Sequence, residues 1–285
     1  MTRRAAPSII ATAVAAGCAG PGGGSPPPGG SPPPGGILTY GIPAPPSAVY
    51  HIGDTMSAQM DSPMGELQVT GSASVTMGLA FRTDPAGVRV VGTVEAFSAS
   101  VTNPMMGSET AGLDELNGNL EVVLGRHGVE ELASFPEVSG PVATMSSFPG
   151  LGHLLFPRLP GGDADPGSSW VDTVTSSTGT EGQSANVTAI SAYTLVGDTA
   201  VEGRNLVHIA ATTEFTTEDA IEEGGMSMTR KMTGSAEGLI LWHPERRLVV
   251  YAEYERDMKG TLSMGAMGAM ELTVTGPTRI LLQDW

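Results

Sequence analysis

The feature that most limits the possible folds of this chain is a two-residue alternation of apolar and polar side chains over long stretches. Apolar residues occupy most odd positions from Leu67 to Phe81, and polar residues fill most positions between them. The alternation returns from Leu262 to Val274, where the apolar residues stand at even positions. Because successive side chains of a β-strand point to opposite faces, each stretch predicts a strand with one face on a core and one in water.

These stretches are about 13 to 15 residues long and would span roughly 50 Å at ~3.3 Å per residue. Typical strands have ~5 to 6 residues, and much longer strands must twist and curl. We therefore expect a mainly β fold of long, curved antiparallel sheets, arranged as a half-barrel or an open barrel with little helix. Helix candidates are limited to one turn within Phe135–Gly167 and the short segments Gly112–Leu116 and Gly128–Leu132.

Turn sequences stand where antiparallel pairing requires them. The residues Asp84–Gly87 separate the first alternating stretch from an apolar run between Val88 and Val101. The residues His243–Arg246 separate two further apolar runs in the same way. Both segments contain proline beside polar residues, which is typical of hairpin turns.

A short sequence repeat suggests an internal relationship. Thr-Gly-Ser-Ala occurs at residues 70–73 and again at 233–236, each time followed by Gly-Leu, a turn with proline and a long strand. The repeat is consistent with two related halves. The predicted organisation is a β-rich folded region at 47–285, with possible halves at 47–133 and 168–285 joined by a crossover at 134–167.

The N-terminal sequence has the pattern of an export signal. Arg3 and Arg4 precede a short stretch of apolar and small residues, and Ala15–Gly17 place small side chains directly before Cys18. We expect residues 1–17 to be a signal peptide, which is too short to span a bilayer permanently. Two alternatives stay open. One is an ordinary cleavable signal in which Cys18 is incidental, and the other is a twin-arginine signal.

Residues 18–46 follow as a predicted tether rich in proline and glycine. Gly-Gly-Ser-Pro-Pro-Pro occurs twice between Gly23 and Pro34. Proline triplets favour extended polyproline II, and such a segment cannot bury apolar surface. The combination resembles bacterial lipoproteins, which implies that Cys18 is acylated on sulfur and becomes the mature N-terminus.

The whole pattern of anchor, tether and long alternating strands resembles uncharacterised bacterial lipoproteins of the domain-of-unknown-function type. More distantly, it is similar to lipoprotein carriers of the LolA and LppX kind. The resemblance implies a curved antiparallel sheet around a helix-covered apolar cavity that holds an acyl chain. Ala19 stands where an aspartate would favour inner-membrane retention, so the resemblance also implies delivery to the outer membrane, facing the periplasm or the cell surface.

The charge balance argues against nucleic acid as a partner. With 14 basic and 30 acidic residues the formal net charge is -16, whereas phosphate binding draws its affinity from clustered Lys and Arg. Anionic lipid surfaces would repel such a chain, so we expect the N-terminal lipid anchor to make the membrane contact. A single cysteine also excludes an intrachain disulfide.

No pattern of catalytic residues stands out. The five histidines are scattered without an HExxH pair, and no GxSxG or glycine-rich phosphate loop is present. We therefore expect no enzyme activity, no catalytic residues, no metal and no cofactor. A hydrolase site assembled in space from histidine and carboxylate side chains remains an alternative.

Two metal alternatives rest on local composition. Acidic residues between Glu214 and Glu223 are read as one loop and offer oxygen ligands for calcium, although the spacing of an EF-hand is absent. Methionines at Met226–Met228 and Met264–Met270 offer thioethers for Cu(I). Flexible methionines that fill an irregular core, or line a pocket for varied apolar ligands, explain the second pattern without a metal.

The expected function is that of a non-enzymatic cell-envelope lipoprotein that binds an acyl chain or lipid in its curved sheet. The alternative is a structural or assembly lipoprotein that binds another envelope protein through its sheet surface. Residues of an ordinary core and residues that line a ligand site have the same pattern here. The candidate lining residues are Val75, Met77, Leu79, Leu262, Met264, Met270 and Leu272.

Overall fold

The computed structural model describes residues 38–62, 65–104, 107–138, 150–180, 183–223, 226–264 and 268–283. The predicted signal peptide, Cys18 and the first part of the tether lie outside the described residues. Export and acylation therefore stay predictions.

Long β-strands make up most of the described chain. The strands are β1 (Ser47–Ser62), β2 (Gly65–Asp84), β3 (Gly87–Asn103), β4 (Gly107–Gly112), β5 (Leu116–Asn117), β6 (Leu120–Leu124), β7 (Val129–Ser134), β8 (Glu137–Val138), β9 (Ser169–Thr180), β10 (Gln183–Val201), β11 (Arg204–Glu223), β12 (Met226–His243), β13 (Leu248–Met264) and β14 (Ala269–Gln283). The described helical elements are a 3-10 turn at Leu113–Glu115 and the helix α1 (Leu151–Leu155). Among the described residues, no helix is long and apolar enough to cross a membrane.

All of these strands except β5 and β8 belong to one antiparallel sheet. The order is β7-β6-β3-β2-β1-β14-β13-β12-β11-β10-β9, with β4 paired to β3 and a separate small sheet of β5 and β8. The large sheet is a curled half-barrel with β7 and β9 at the two ends of this order. The expected mainly β fold with little helix is confirmed.

The predicted hairpins are confirmed. Asp84 pairs with Gly87 across a two-residue turn between β2 and β3, and the turn at 244–247 joins β12 to β13. The helical turn expected in the crossover is α1. The segment Gly128–Leu132 is not helical, because Leu132 pairs with Val122 of β6 and this part of the chain forms β7.

The two predicted halves contribute to the same sheet, because β1 pairs with both β2 and β14. Tyr50 stands opposite Met77 on one side and Leu282 on the other. An evolutionary relationship between the halves stays a prediction.

One end of the curled sheet is filled by a large apolar cluster, called here the main core. Trp242, Tyr50 and Phe156 are among its fully buried side chains, and Leu155 joins them from α1. Tyr40 packs edge-on against Trp242 at a centroid distance of 5.1 Å and against Phe156 at 5.9 Å. The helix and its flanking segments thus close this end of the half-barrel. The face that carries the main core is called the inner face.

Two buried tyrosines of the main core, Tyr40 and Tyr50, have their hydroxyl groups satisfied. The hydroxyl of Tyr50 donates to the carbonyl of Val249 at 2.7 Å, and that of Tyr40 donates to the carbonyl of Pro157 at 2.7 Å. A buried hydroxyl without a partner would cost ~1–3 kcal/mol. These bonds therefore let aromatic rings fill the core and also fix the chain segments at residues 40 and 157.

Candidate ligand-binding surface

The inner face continues beyond the main core to a second apolar cluster near the other ends of the strands, called here the distal cluster. Four of its members are buried and five are partly buried. The buried members are Ala58, Val69, Met232 and Leu272, and the partly buried members are Met56, Met60, Val101, Met258 and Val274. The inner face thus offers apolar surface that is not wholly covered by protein.

Strand parity places these residues on the same face as the main core. Even residues of β1 run from Tyr50 and Ile52 in the main core to Ala58 in the distal cluster. Ala58 stands opposite Val69 of β2 and Val274 of β14. Because neighbouring residues in register share a face, six adjacent strands from β3 to β12 supply one continuous apolar strip.

Three methionines of the distal cluster stand opposite glycines on one neighbouring strand. The distal pairs are Met56 with Gly71, Met232 with Gly260, and Met258 with Gly234. A flexible thioether side chain opposite a residue without a side chain forms a shallow surface that can change shape.

The inner-face glycines also let neighbouring strands approach closely. A Cβ atom at Gly234, Gly260 or Gly276 would lie well under 3.0 Å from backbone atoms of the adjacent strand. These three residues lie on β12, β13 and β14, in the middle of the curl. Glycine is therefore required there by the bending of the sheet.

A polar group on the inner face lies between the two apolar clusters. Nη2 of Arg256 donates to both carboxylate oxygens of Asp54 and to the carbonyl of Thr55, each at 2.9 Å. The hydroxyl of Thr278 donates to the same carboxylate. Nε of Arg256 is buried and has no hydrogen-bond partner among the described residues. This group of Asp54, Arg256 and Thr278 is called here the polar layer, and it marks the boundary of the filled end.

A second charged pair lies beside the distal cluster. Nε of Arg230 donates to Asp219 at 2.7 Å, and both residues occupy inner-face positions of β12 and β11. Arg230 stands opposite Leu262, which in turn stands opposite Met270. Along the strand direction, the apolar strip therefore has the pair of Asp54 and Arg256 on the side of the main core and the pair of Asp219 and Arg230 on the far side.

The predicted lining residues divide between the two clusters. Val75, Met77 and Leu79 lie in the filled main core, where Met77 is fully buried. Leu272 is a member of the distal cluster, and Leu262 and Met270 are adjacent to it on the inner face. The backbone of Met264 pairs with Met228 in β12.

The acidic segment expected to be a loop is instead part of a strand, so that expectation is wrong. β11 pairs with β10 and β12 along this segment. Glu214 and Glu218 point to the outer face, whereas Asp219 bonds Arg230 on the inner face. The physical reason is that Phe215, between these two glutamates, packs against the main core, so the segment alternates between two faces as a strand does. Across the described ranges, no group of three or more His, Cys, Asp or Glu side chains is placed to hold a metal ion.

Three histidines sit in environments that disfavour their charged form. Burial lowers the pKa of His153 on α1, against a smaller opposing effect of Asp172. Burial likewise lowers the pKa of His208 and His243. These three histidines lie on α1, β11 and β12, and a hydrolase site assembled from histidine and carboxylate side chains stays an untested alternative.

These pKa shifts predict a loss of stability in weak acid. In the unfolded chain His153, His208 and His243 bind protons near pH 6.5, whereas in the folded chain their pKa values are lower. The free energy of unfolding should therefore fall as the pH drops from 7 to 5, because the unfolded state binds more protons. The substitution His153→Gln should weaken this dependence. Urea denaturation at pH 7, 6 and 5 measures it, and an unchanged slope in the variant would contradict the assignment to His153.

The outer face has a shallow depression of about 380 Å³. Its outward side chains are mostly small and hydroxylic, and the hydroxyl groups of Ser72 and Ser100 hydrogen-bond each other at 2.9 Å. The outer-face residues around it are Gly53, Thr55, Ser72, Ser74, Ser98, Ser100, Thr110, Pro277 and Arg279. Since these groups satisfy each other or face water, the inner face is the better candidate for an apolar ligand.

No protein-family model matches the chain, and no curated protein matches it significantly. Three solved structures show weak likeness. A crystal structure of Pseudomonas aeruginosa OccK2 (OpdF) is 8% identical, with 85% of this chain and 99% of that chain covered and a TM-score of 0.29. Its complex with glucuronate is 7% identical, with 86% and 100% covered and a TM-score of 0.25. An AttH candidate from Nitrosomonas europaea is 8% identical, with 80% and 92% covered and a TM-score of 0.16. Scores this low support no argument about function.

Proposed function

We propose that the chain is an exported, lipid-anchored, non-enzymatic protein of the cell envelope that binds an acyl chain or lipid against its distal cluster. The observation that carries the proposal is the partly uncovered apolar strip beyond the filled core, with methionines opposite glycines. The main core needs no ligand, because α1 and its flanking segments already cover it.

The binding energy would come from burial of methylene groups. Each buried methylene contributes about 0.8 kcal/mol, so roughly eight methylenes would contribute roughly 6 kcal/mol before the cost of association. Methionine side chains adapt to different chain shapes because they are unbranched and polarizable. The proposed ligand class is therefore a flexible hydrocarbon chain and not one rigid molecule.

The two charged pairs favour one orientation of an amphiphile. The side chain of Arg230 is 39% exposed, whereas that of Arg256 is 20% exposed and engaged by Asp54 and Thr55. A polar headgroup therefore fits best beside Arg230 and Leu262, with the hydrocarbon chain extending along Met258 toward the polar layer.

The expected acylation of Cys18 and the proline-rich tether support the envelope location. A net charge of -16 disfavours direct contact with anionic lipid headgroups. An acylated N-terminus would hold the protein at the membrane without such contact. Delivery to the outer membrane, facing the periplasm or the cell surface, is the location that we propose.

Native mass spectrometry of the full-length chain with Cys18→Ser, purified from a bacterial periplasm, tests the proposal. Without Cys18 the chain cannot be acylated there, so any lipid mass that is lost on denaturation is a bound ligand. An apo mass that stays unchanged when fatty acids and phospholipids are added would contradict the proposal.

The substitution Met60→Gln should weaken fatty-acid binding about tenfold, because it replaces apolar surface worth ~1.5 kcal/mol or more. Met60 is a partly buried member of the distal cluster, so the polar amide can be accommodated without unfolding. Titration with a fluorescent fatty acid measures the change.

The matched control is Gln59→Met, which makes the reverse exchange at the neighbouring residue on the exposed outer face. It should leave the affinity unchanged. Equal effects of the two variants would show that binding does not depend on the inner face.

One observation favours the alternative function, in which the sheet surface binds another envelope protein. Val171, Ile190 and Val196 are exposed large apolar side chains on the neighbouring strands β9 and β10. Val171 and Ile190 lie near each other, because Val171 stands opposite Ala192 and Ile190 stands opposite Thr173. Neighbouring exposed apolar side chains are typical of interaction surfaces.

A further inference from the structure

Among the strands that the structure describes, β9 lies at an edge of the large sheet and pairs with β10 alone. Its described backbone partners lie in β10, along the register from Ser169 with Thr194 to Thr180 with Gln183. An edge strand of 12 residues offers a row of backbone donors and acceptors to another strand.

The register identifies which backbone groups face outward. Leu195 donates its N–H to the carbonyl of Ser168, so this pair is hydrogen-bonded across β10 and the start of β9. In an antiparallel ladder such pairs alternate, so the even residues of β9 bond β10 and the odd residues point their N–H and C=O groups to the free edge. The outward-facing residues include Val171, Thr173, Thr175 and Ser177.

β9 lacks the sequence features that protect edge strands, although the indole N–H of Trp170 at its start donates to the carbonyl of Arg158 at 2.7 Å. It contains no proline and no lysine, and Asp172 is its single charged residue. β7, the strand at the other end of the order, has only six residues and carries Glu130 and Glu131. Because charges, prolines and short length discourage edge pairing, β9 is the better suited of the two to accept a strand.

Exposed apolar side chains occur on β9 and on the adjacent strand β10. Val171, Ile190 and Val196 are 61%, 43% and 50% exposed, and they are three of the six exposed large apolar side chains in the described part of the chain. Val171 lies on β9 itself, and Ile190 lies on the adjacent strand opposite Thr173. A strand added to β9 would cover part of this surface.

We propose that β9 pairs antiparallel with β9 of a second copy of this chain, about a two-fold axis at Val174. Its side chains are self-complementary in this register. Val174 meets its own copy, Thr173 meets Thr175, and Asp172 meets Ser176, so the two carboxylates do not oppose each other. The paired threonines are outward-facing residues, so their backbone groups can exchange hydrogen bonds.

The interaction joins two half-barrels into one continuous sheet. It does not rest on the proposed lipid binding, because the distal cluster lies on other strands.

Cysteine cross-linking of the full-length chain with Cys18→Ser tests the pairing, since no other cysteine is present. Cα atoms opposite each other in a non-hydrogen-bonded antiparallel pair are about 4.5 Å apart, which a disulfide can bridge. Val174→Cys should therefore form a disulfide dimer roughly tenfold faster than Thr212→Cys, an exposed outer-face position of β11. Equal rates for the two variants would overturn the proposal.

A proline substitution separates edge pairing from other modes of association. Thr175→Pro removes an outward-facing N–H and leaves the bonds to β10 intact, so the fold should persist. Sedimentation should show a dimer for the parent chain and a monomer for Thr175→Pro, with the same circular dichroism spectrum. A monomeric parent chain, or a Thr175→Pro variant that remains dimeric, would overturn the proposal.

Discussion

Replacing Gly260 by valine is expected to lower the free energy of unfolding by about 3 kcal/mol, the upper part of the range for overpacked sites. Gly260 lies on the inner face of β13 opposite Met232. A Cβ atom there would collide with the carbonyl of Lys231 and with Cα of Met232, which are backbone atoms that cannot rotate away. The strands must separate locally to relieve the collision. Urea denaturation followed by circular dichroism measures the loss.

Gly53→Val provides the matched control for this prediction. Gly53 also lies within a long strand, but nothing stands within 4 Å of a Cβ atom placed there. Valine favours a strand, whereas glycine in a strand costs ~0.5–1 kcal/mol, so the control should be neutral or slightly stabilising. Equal losses in both variants would show that any side chain is harmful in these strands and that the close approach at Gly260 is not the cause.

The local elements of the fold could be predicted because their signals are local. Alternation from Leu67 to Phe81 predicts β2, and proline beside Asp84 predicts the turn to β3. Burial of one face produces this alternation directly, so parity in the sequence gives the inner face of each strand. The helix predicted at Gly128–Leu132 is wrong because the state of this segment depends on pairing with β6.

The order of the strands could not be predicted in the same way. Tyr50 pairs with Leu282, so the first and last strands of the described chain, β1 and β14, are neighbours at the centre of the sheet. No local pattern specifies a partner more than 200 residues away, since many alternating strands offer equivalent apolar faces.

The candidate site, like the fold, could be predicted only in part. Val75 and Leu272 have the same alternating pattern, yet Val75 lies in the filled main core and Leu272 in the distal cluster. Parity gives the face but not the position along the strand relative to α1 and its flanking segments, which cover only one end. That coverage depends on the packing of Leu155 and Phe156, which strand periodicity does not encode.

The sequence contains a signal for the polar layer that the sequence analysis above did not use. Asp54 stands at the parity of Tyr50 and Ile52, and Arg256 stands at the parity of Ala252 and Tyr254, all of which are buried apolar or aromatic residues. A charged residue at an apolar position of a strand predicts a partner on the same face, because an unpaired charge there is costly. The partner itself, 202 residues away, needs the structure.

Removal of Asp54 is expected to cost about 2 kcal/mol of folding free energy, somewhat less than for a fully buried pair because both side chains are partly exposed, at 20% for Arg256 and 24% for Asp54. Asp54→Ala leaves Arg256 without its carboxylate and with an Nε that already lacks a partner among the described residues. Adding Arg256→Met should restore part of the loss, because methionine needs no hydrogen bonds. The double-mutant cycle, measured by urea denaturation, should therefore give a coupling energy of about 1–2 kcal/mol.

The pair of Glu218 and Lys231 is a control with matched distance and different exposure. Its N–O distance is 2.8 Å, against 2.9 Å for Asp54 and Arg256, but its side chains are 52% and 62% exposed. An exposed pair of this kind contributes ~0.2–1 kcal/mol, and less at high salt. If the two cycles gave the same coupling energy, the inner-face pair would be no better shielded from water than a surface pair. A larger coupling for Asp54 and Arg256 that persists in 1 M salt would instead mean that the boundary between the filled core and the distal cluster is held by a pair shielded from solvent.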